Sequence, residues 1–496
     1  MHRFHSPRQN DSSQPRRAFL ADLGMGFTGL ALGAMLNGDG IAQADSSAAP
    51  ADDAAGPHFA PRAKSVIWVF CSGGYSHLET FDPKPALNKY AGKTFSETPF
   101  ADPFQNPLHE KRSRAVLTVV RDKYSRIMPL QVGYAPRGQS GIEISDWWPH
   151  LAKRVDDIAF VRSMYTTDND HAAENQMHTG RHRLDEVQPS IGSWAHRGLG
   201  TLNENLPQFV ALGGPTRSDT RDSIGGNYLG AEHDAVPLAL DPTNPLPFGV
   251  RGPDLLPEEQ QQEFALIDRL NRAAAASRPR DAVLQARIRS YELAYRMQMS
   301  TPEALDLSSE TAETLDLYGA NKKDQTAEAA KRLLTARRLV ERGVRYVQVY
   351  PTNYGQWDSH RKLKDNHQNL CGWVDQPVAA LLTDLKRRGL WNDVVVVFCT
   401  EFGRTPAIEE RAGGTDGRDH HPHGFTVWLA GAGINGGMVH GATDELGYHA
   451  VEPGHYVTDL HATVLHLLGL DPRRLEVPGR KRLDIDRGRP IHEILA

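Results

Sequence analysis

Apolar runs without alternation mark where the chain is buried on both sides. Val66-Ile67-Trp68-Val69-Phe70 is one, and Val394-Val395-Val396-Val397-Phe398-Cys399 is another. Such runs read as strands of a sheet covered on both faces. Ile158 to Val161, Val344 to Tyr350 and Phe425 to Ala430 read as further strands. Between them the period changes to that of a helix. Ala329, Leu333, Ala336 and Val340 share one face of a segment that Thr326 is placed to cap and Gly343 to end. Val374, Val378, Leu381 and Leu385 mark a second helix closed by Gly389, and Leu460, Val464, Leu467 and Leu468 a third stopped by Gly469. Strand 344–350, the helix after it and strand 394–399 form a βαβ unit. Its right-handed crossover makes those strands parallel. The expected class is α/β, a mainly parallel sheet with helices on both faces.

The remaining segments punctuate that frame. Residues 84–141 are broken by prolines and read as an irregular insertion, while 147–155 has helical spacing. Residues 215–260, rich in Gly, Pro and Asp, read as surface loop. Helical sequence runs from Pro257 to about Tyr318, with Thr301-Pro302-Glu303 as a helix start, so an insertion is expected around 215–330. At the beginning, Arg16-Arg17-Ala18-Phe19-Leu20, a weakly hydrophobic stretch from Leu23 to Leu36 and Ala42-Gln43-Ala44 resemble a twin-arginine signal with its cleavage site. Residues 1–44 are then signal peptide, 45–63 a flexible linker and 64–496 the folded domain. The apolar stretch is short and interrupted by glycines, so no stable membrane anchor is expected. The expected location is periplasmic or secreted, and the twin-arginine translocase is the partner during export.

Composition narrows the function. A hydrophobic fraction of 39% and a charged fraction of 24% are ordinary for a globular chain and exclude a disordered or fibrous one. Lys and Arg number 56 against 61 Asp and Glu, so nothing in the net charge of −5 seeks nucleic acid. Cys71, Cys371 and Cys399 are too few and scattered for a disulfide framework, and Cys71 and Cys399 read as small core residues. The 22 histidines are the informative residues, because many stand beside carboxylates.

Ligands of parallel sheets bind beyond the carboxyl ends of the strands. Asp358 and His360 follow strand 344–350, Glu401 and Arg404 follow strand 394–399, and Asp419, His420 and His421 come shortly after. Asp170 and His171 follow the 158–161 strand. Carboxylates mixed with imidazoles suit a borderline divalent ion: zinc first, with manganese or iron, and calcium as the oxygen-preferring alternative. Asp358, His360, Glu401, Asp419, His420 and His421 are the candidate metal ligands. Arg404 and Arg181 are candidates to hold a tetrahedral anion, and Ser72 and His77 are weaker substrate-binding candidates. Glu401 also has a plainer reading, as a buried partner of Arg404. His440, His449 and His455 lack companions in sequence and read as surface residues.

A set of motifs resembles a known family. These are Ser72-Gly73-Gly74 with Phe81-Asp82-Pro83-Lys84-Pro85, His178-Thr179-Gly180 and Pro189-Ser190-Ile191-Gly192-Ser193-Trp194. Trp357-Asp358-Ser359-His360, Glu401-Phe402-Gly403-Arg404-Thr405-Pro406, Gly417-Arg418-Asp419-His420-His421 and Asp459-Leu460-His461-Ala462-Thr463 complete it. The chain from Lys64 onward is similar to the domain of unknown function 1501 family, placed in the alkaline phosphatase and sulfatase superfamily. That resemblance implies a three-layer α/β/α sandwich and a bound metal. The superfamily's aspartate–histidine pair resembles Asp358 and His360, its next pair falls on Glu401-Phe402, and its late histidine on His420 or His421. Its hydroxyl nucleophile falls on Asp170, beside His171, where no Ser, Thr or Cys stands.

The expected function is an exported, metal-dependent hydrolase of a phosphate or sulfate ester, on a small molecule or glycan. Water activated by the ion would attack, with His171 or Asp170 as general base and Arg404 on the anion. The alternative is a non-catalytic metal- or glycan-binding component of a secreted assembly. A sugar-phosphate mutase is disfavoured, because its substrates stay in the cytoplasm.

Overall fold

The computed structural model describes residues 56–112, 114, 126–215, 218–245, 257–277, 288, 296–297, 300–410, 414–451 and 453–496. The expected signal peptide, and the expected linker up to residue 55, lie outside the described residues. The chain divides into two units, 1–49 with 243–299, and 50–242 with 300–496. In the first, Pro257–Ser277 is a helix with Leu266, Ile267 and Leu270 exposed.

The second unit is built on a nine-stranded sheet. Its strands in chain order are β1 (Ser65–Phe70), β4 (Ile158–Tyr165), β5 (Phe209–Leu212), β6 (Val236–Leu238), β7 (Tyr346–Val349), β8 (Val394–Cys399), β11 (Phe425–Gly431), β12 (Met438–His440) and β13 (His455–Tyr456). A small hairpin of β2 (Tyr134–Arg137) and β3 (Ile142–Ser145), and a ladder of β9 (Gly403–Arg404) with β10 (His420–His421), stand apart. The spatial order is β12-β4-β11-β8-β1-β7-β5-β6, with β13 on β4. Every pairing is parallel except those of β11, which runs antiparallel to both β4 and β8.

Full burial of β1 and β8 explains their unbroken apolar runs. Val66, Trp68 and Phe70 face a core with α1 (Ala173–Thr179), α2 (Ile191–Leu199) and α5 (Val457–Leu467). On the other face α3 (Gln325–Glu341) packs on β1 and β7, and α4 (Leu363–Arg387) packs on α3. This is the expected three-layer α/β/α sandwich with a mainly parallel sheet. Burying a large apolar side chain contributes about 1.5–3 kcal/mol, so Trp68 and Trp428, both at 0% exposure, anchor the layers.

Several local expectations shift. The cap of α3 is Asp324, whose carboxylate accepts from the N–H of Thr326. Thr301 to Leu305 closes a helical stretch, and the helix start lies at Thr311, which caps Ala312–Tyr318. Residues 147–155 give only a 3₁₀ segment, Leu151–Asp157. Residues 56–63 are tied to the fold by hydrogen bonds from His58 to Gly469 and from Arg62 and Ala63 to Leu467.

Candidate metal centre

Sheet direction decides what meets at the site. β7, β1 and β8 are parallel, and β4 is reached from β8 by two antiparallel steps through β11. β4, β7 and β8 therefore end on one edge. The segments beyond those ends carry His171, then Asp358 and His360, then Glu401. Because β11 is reversed, it begins at that edge, and the preceding Asp419–His423 segment arrives there too. The β9–β10 ladder sets His420 opposite Arg404 and His421 opposite Gly403. Side chains alternate along a strand, so His420 and His421 point to opposite sides. Gly73 lets the turn after β1 pass beneath this layer. Its φ is +117°, and a Cβ there would stand 2.6 Å from the Asp358 backbone nitrogen. Its N–H donates to Glu401 Oε1 at 2.7 Å.

Asp358 is the hub. His360 Nε2 and His420 Nε2 each lie 3.0 Å from its Oδ1 and 3.1 Å from one another. His171 Nε2 lies 3.1 Å from its Oδ2. Each ring has an oxygen facing its Nδ1. His420 Nδ1 sits 3.0 Å from the Asn169 carbonyl, His171 Nδ1 3.3 Å from Glu401 Oε1, and His360 Nδ1 3.5 Å from Asp419 and 3.6 Å from Glu409. Anchoring at Nδ1 by a carbonyl or carboxylate is how proteins present Nε2 to a metal. Facing a carbonyl, His420 carries its proton on Nδ1, so its Nε2 lone pair meets the lone pairs of Asp358 Oδ1. Two acceptors 3.0 Å apart repel unless a cation sits between them. The spacing also fits: ligands at right angles around an ion at about 2.1 Å stand about 3.0 Å apart, and tetrahedral ones about 3.4 Å. Donor atoms of His171, Asp358 and His420, and of His360, Asp419 and His420, form two overlapping groups of this kind.

The charges point the same way. The carboxylates of Asp358, Glu401, Glu409 and Asp419 gather around the three imidazoles, and the guanidinium of Arg404 pairs with Asp358. Burial opposes ionisation of Asp358, but Arg404 and the three histidines outweigh it and hold its carboxyl well below the usual range. Burial also opposes protonation of His171, yet Asp358 and Glu401 raise it to about 9. His360 is raised in the same way, against burial, by Asp358 and Glu409. His420, fully buried, is lowered to about 3.

The other expected residues lie around this centre in different roles. Arg404 is fully buried. It donates Nε to the Gly74 carbonyl at 2.7 Å and Nη2 to Asp358 at 2.8 Å, and further to the carbonyls of Gly73, Trp357 and Arg418. It is the partner of Asp358 rather than of Glu401, and its donors are spent inside the protein. Asp170 accepts from the His171 N–H and lies 3.1 Å from Arg183. Ser72 donates to Glu174, whose carboxyl is pushed up to about 8 by burial and by Glu401. His77 bonds the Gly447 carbonyl, His421 the Tyr448 carbonyl, and Arg181 pairs with Asp486. The structure does not bring these last three to Asp358. His449 is buried on the Pro103 carbonyl, and His440 pairs with His455 at 2.9 Å, so these are not isolated surface residues. Glu409 and Arg183 carry no local sequence signal. Glu409 arrives because its N–H bonds the Gly417 carbonyl, laying 405–409 along the histidine segment.

Fold and site together define an α/β/α protein with a histidine–carboxylate centre at the carboxyl edge of its sheet. The family described as "Protein of unknown function (DUF1501)" matches residues 63–495, and the chain belongs to it. No curated protein matches the chain. Among solved structures, the lipoteichoic acid synthase LtaP from Listeria monocytogenes is similar at 10% identity, with a TM-score of 0.37 over 87% of this chain and 77% of that one. An alkaline phosphatase superfamily protein from Vibrio parahaemolyticus is similar at 10% identity and a TM-score of 0.36, over 89% and 72%. The phosphonate monoester hydrolase from Silicibacter pomeroyi is similar at 11% identity and a TM-score of 0.35, over 70% and 71%. These likenesses are loose, and the chemistry has to be read from the side chains.

Proposed function

We propose that this chain is an exported, metal-dependent hydrolase of a phosphate or sulfate ester. The observation that carries it is the convergence of three Nε2 atoms on the Asp358 carboxylate, with neutral His420 setting an acceptor against an acceptor at 3.0 Å. Asp358, His171, His360 and His420 would hold the ion. Glu401, Glu409 and Asp419 would orient the rings. Three imidazoles favour zinc, manganese or iron over calcium. When bound, such an ion lowers the pKa of a coordinated water toward neutrality and polarises the ester.

The side chains divide the remaining work. Arg404 locks Asp358 from beneath. Hydroxyls near the centre are engaged elsewhere: Ser72 on Glu174, Thr400 on the Cys71 carbonyl and Ser359 beside His367. That favours water over a side chain as the attacking group. Burial opposes ionisation of Asp170 at the rim, but the His171 N–H and Arg183 hold it below its ordinary pKa and occupy both oxygens, so it would position the His171 loop more than take a proton. Export rests on Arg16-Arg17, and no described helix is long and apolar enough to cross a membrane.

The test is elemental analysis of protein purified without chelator, followed by turnover of aryl phosphate and aryl sulfate. A bound transition ion with turnover supports hydrolysis. A bound ion without turnover on these or on glycan esters favours a binding protein instead.

A further inference from the structure

A cationic groove opens beside the sheet edge, lined by none of the metal-site donors. Tyr165 ends β4, and Tyr456 pairs with it from β13. Both line a cavity of about 630 Å³ bounded by Arg473, Arg487 and Arg489. A second cavity of about 560 Å³ shares Arg487 and Asp484 with the first and adds Arg480, Lys481 and Arg482. Six cationic side chains thus face Asp459, Glu476 and Asp484, a local balance of +3 in a chain of net −5.

Their partners separate scaffold from binding groups. Arg482 lies 4.2 Å from the Trp194 ring and donates to the carbonyls of Pro472 and Leu475, and Arg480 pairs with Glu186. Arg473, Lys481 and Arg489 are exposed, and among the described residues their side chains make no hydrogen bond or ion pair. Arg487 reaches Asp484 only at 3.8 Å, and its buried Nε has no partner. A buried donor without an acceptor is destabilising, and cations without ion-pair partners around a cavity of ligand size call for an anion. Thr458 and the tyrosines add the mixed polar and apolar wall that a sugar ring needs.

We propose that this groove binds an anionic carbohydrate chain. Its ester groups would sit on Arg473, Arg487 and Arg489, and a sugar ring against Tyr165 and Tyr456. Buried hydrogen bonds link the groove wall to the loop that carries His171: Gln176 donates to the Tyr456 hydroxyl at 2.6 Å and accepts from the Asp168 N–H at 3.0 Å. That this chain carries the ester to be cleaved rests on the hydrolase reading; binding in the groove does not.

Calorimetric titration of the mature chain at physiological salt tests it. The probes are a sulfated galacto-hexasaccharide, its desulfated counterpart, a phosphorylated oligosaccharide of equal length and inorganic sulfate. The sulfated probe, the phosphorylated one or both should bind, and which does so identifies the ester. The desulfated probe and inorganic sulfate should bind at least tenfold more weakly. Arg473→Glu with Arg489→Glu should weaken binding at least tenfold, with the circular dichroism spectrum and melting temperature unchanged. His360→Ala should bind as the parent does. Binding of the charge-reversed variant equal to the parent, equal binding of the desulfated probe, or no binding of either anionic oligosaccharide overturns the proposal. Groove binding by a protein that lacks bound metal and turnover would defeat the hydrolase reading alone.

Discussion

Replacing Arg404 by methionine keeps most of the volume and removes the guanidinium. If Arg404 is an internal lock, the loss is one of stability. Breaking a buried ion pair from one side costs about 3–5 kcal/mol, and each buried carbonyl left without a donor adds about 1–3 kcal/mol, not additively. The carbonyls of Gly73, Gly74, Trp357 and Arg418 lose donors together. Asp358 is 25% exposed, so water compensates part of the ion-pair loss. The expected destabilisation is about 4 kcal/mol. Urea unfolding followed by tryptophan fluorescence, with chelator present so that no metal contributes, measures it. Adding Asp358→Asn should cost less in the Arg404→Met background than in the parent, by about 1–2 kcal/mol. Unchanged stability with a raised KM would refute this reasoning and make Arg404 a substrate ligand.

Further outcomes follow from other parts of the structure. His360→Ala should bring metal content well below one ion per chain, whereas Glu401→Gln should retain the ion with about 10–100-fold weaker affinity; elemental analysis and competition with a chromogenic chelator separate the two. Burial lowers His77 and His461 to about 4 and His178 and His367 to about 3. The unfolded chain therefore binds protons that the folded one refuses as pH falls below about 6.5. Stability should drop by about 1 kcal/mol for each of these histidines between pH 6.5 and 5.5, roughly 4 kcal/mol together; a flat urea midpoint over that range would contradict it. Gly73→Ala sets a methyl against the backbone of Asp358 and Trp357 at a positive φ, so a loss of about 3 kcal/mol is expected on thermal melting, with impaired metal retention. Changing Arg16 and Arg17 to lysine should leave the precursor in the cytoplasm, and cell fractionation that finds mature protein in the periplasm would disprove the export signal.

Elements buried on both faces were legible, since β1 and β8 spell their burial in valine, isoleucine and phenylalanine. The edge carrying Asp358, His360 and Glu401 followed from the βαβ unit alone. What no local pattern reveals is the reversal of β11, because a strand's apolar run is the same in either direction. Nor does spacing distinguish His420 from His421; only the pairing of β9 with β10 decides which ring faces Asp358. The roles of Glu401 and Arg404 were hidden for a related reason. A carboxylate that binds an ion and one that steers a ring occupy the same place in a sequence, and the difference is an angle at a nitrogen.

The donors around Asp358 come from positions 171, 358, 360 and 420, so the chain must close loops of many tens of residues before they meet. An ion held there, as proposed, would bind the folded chain and have no equivalent site in the unfolded one. It would therefore act as a clasp on the whole sandwich: at a free concentration one hundred times its dissociation constant it would add about 2.7 kcal/mol to folding. Loaded and unloaded protein should thus differ in protease lifetime and melting temperature as well as in chemistry, and scarcity of the metal would reach this protein first as a shortened life.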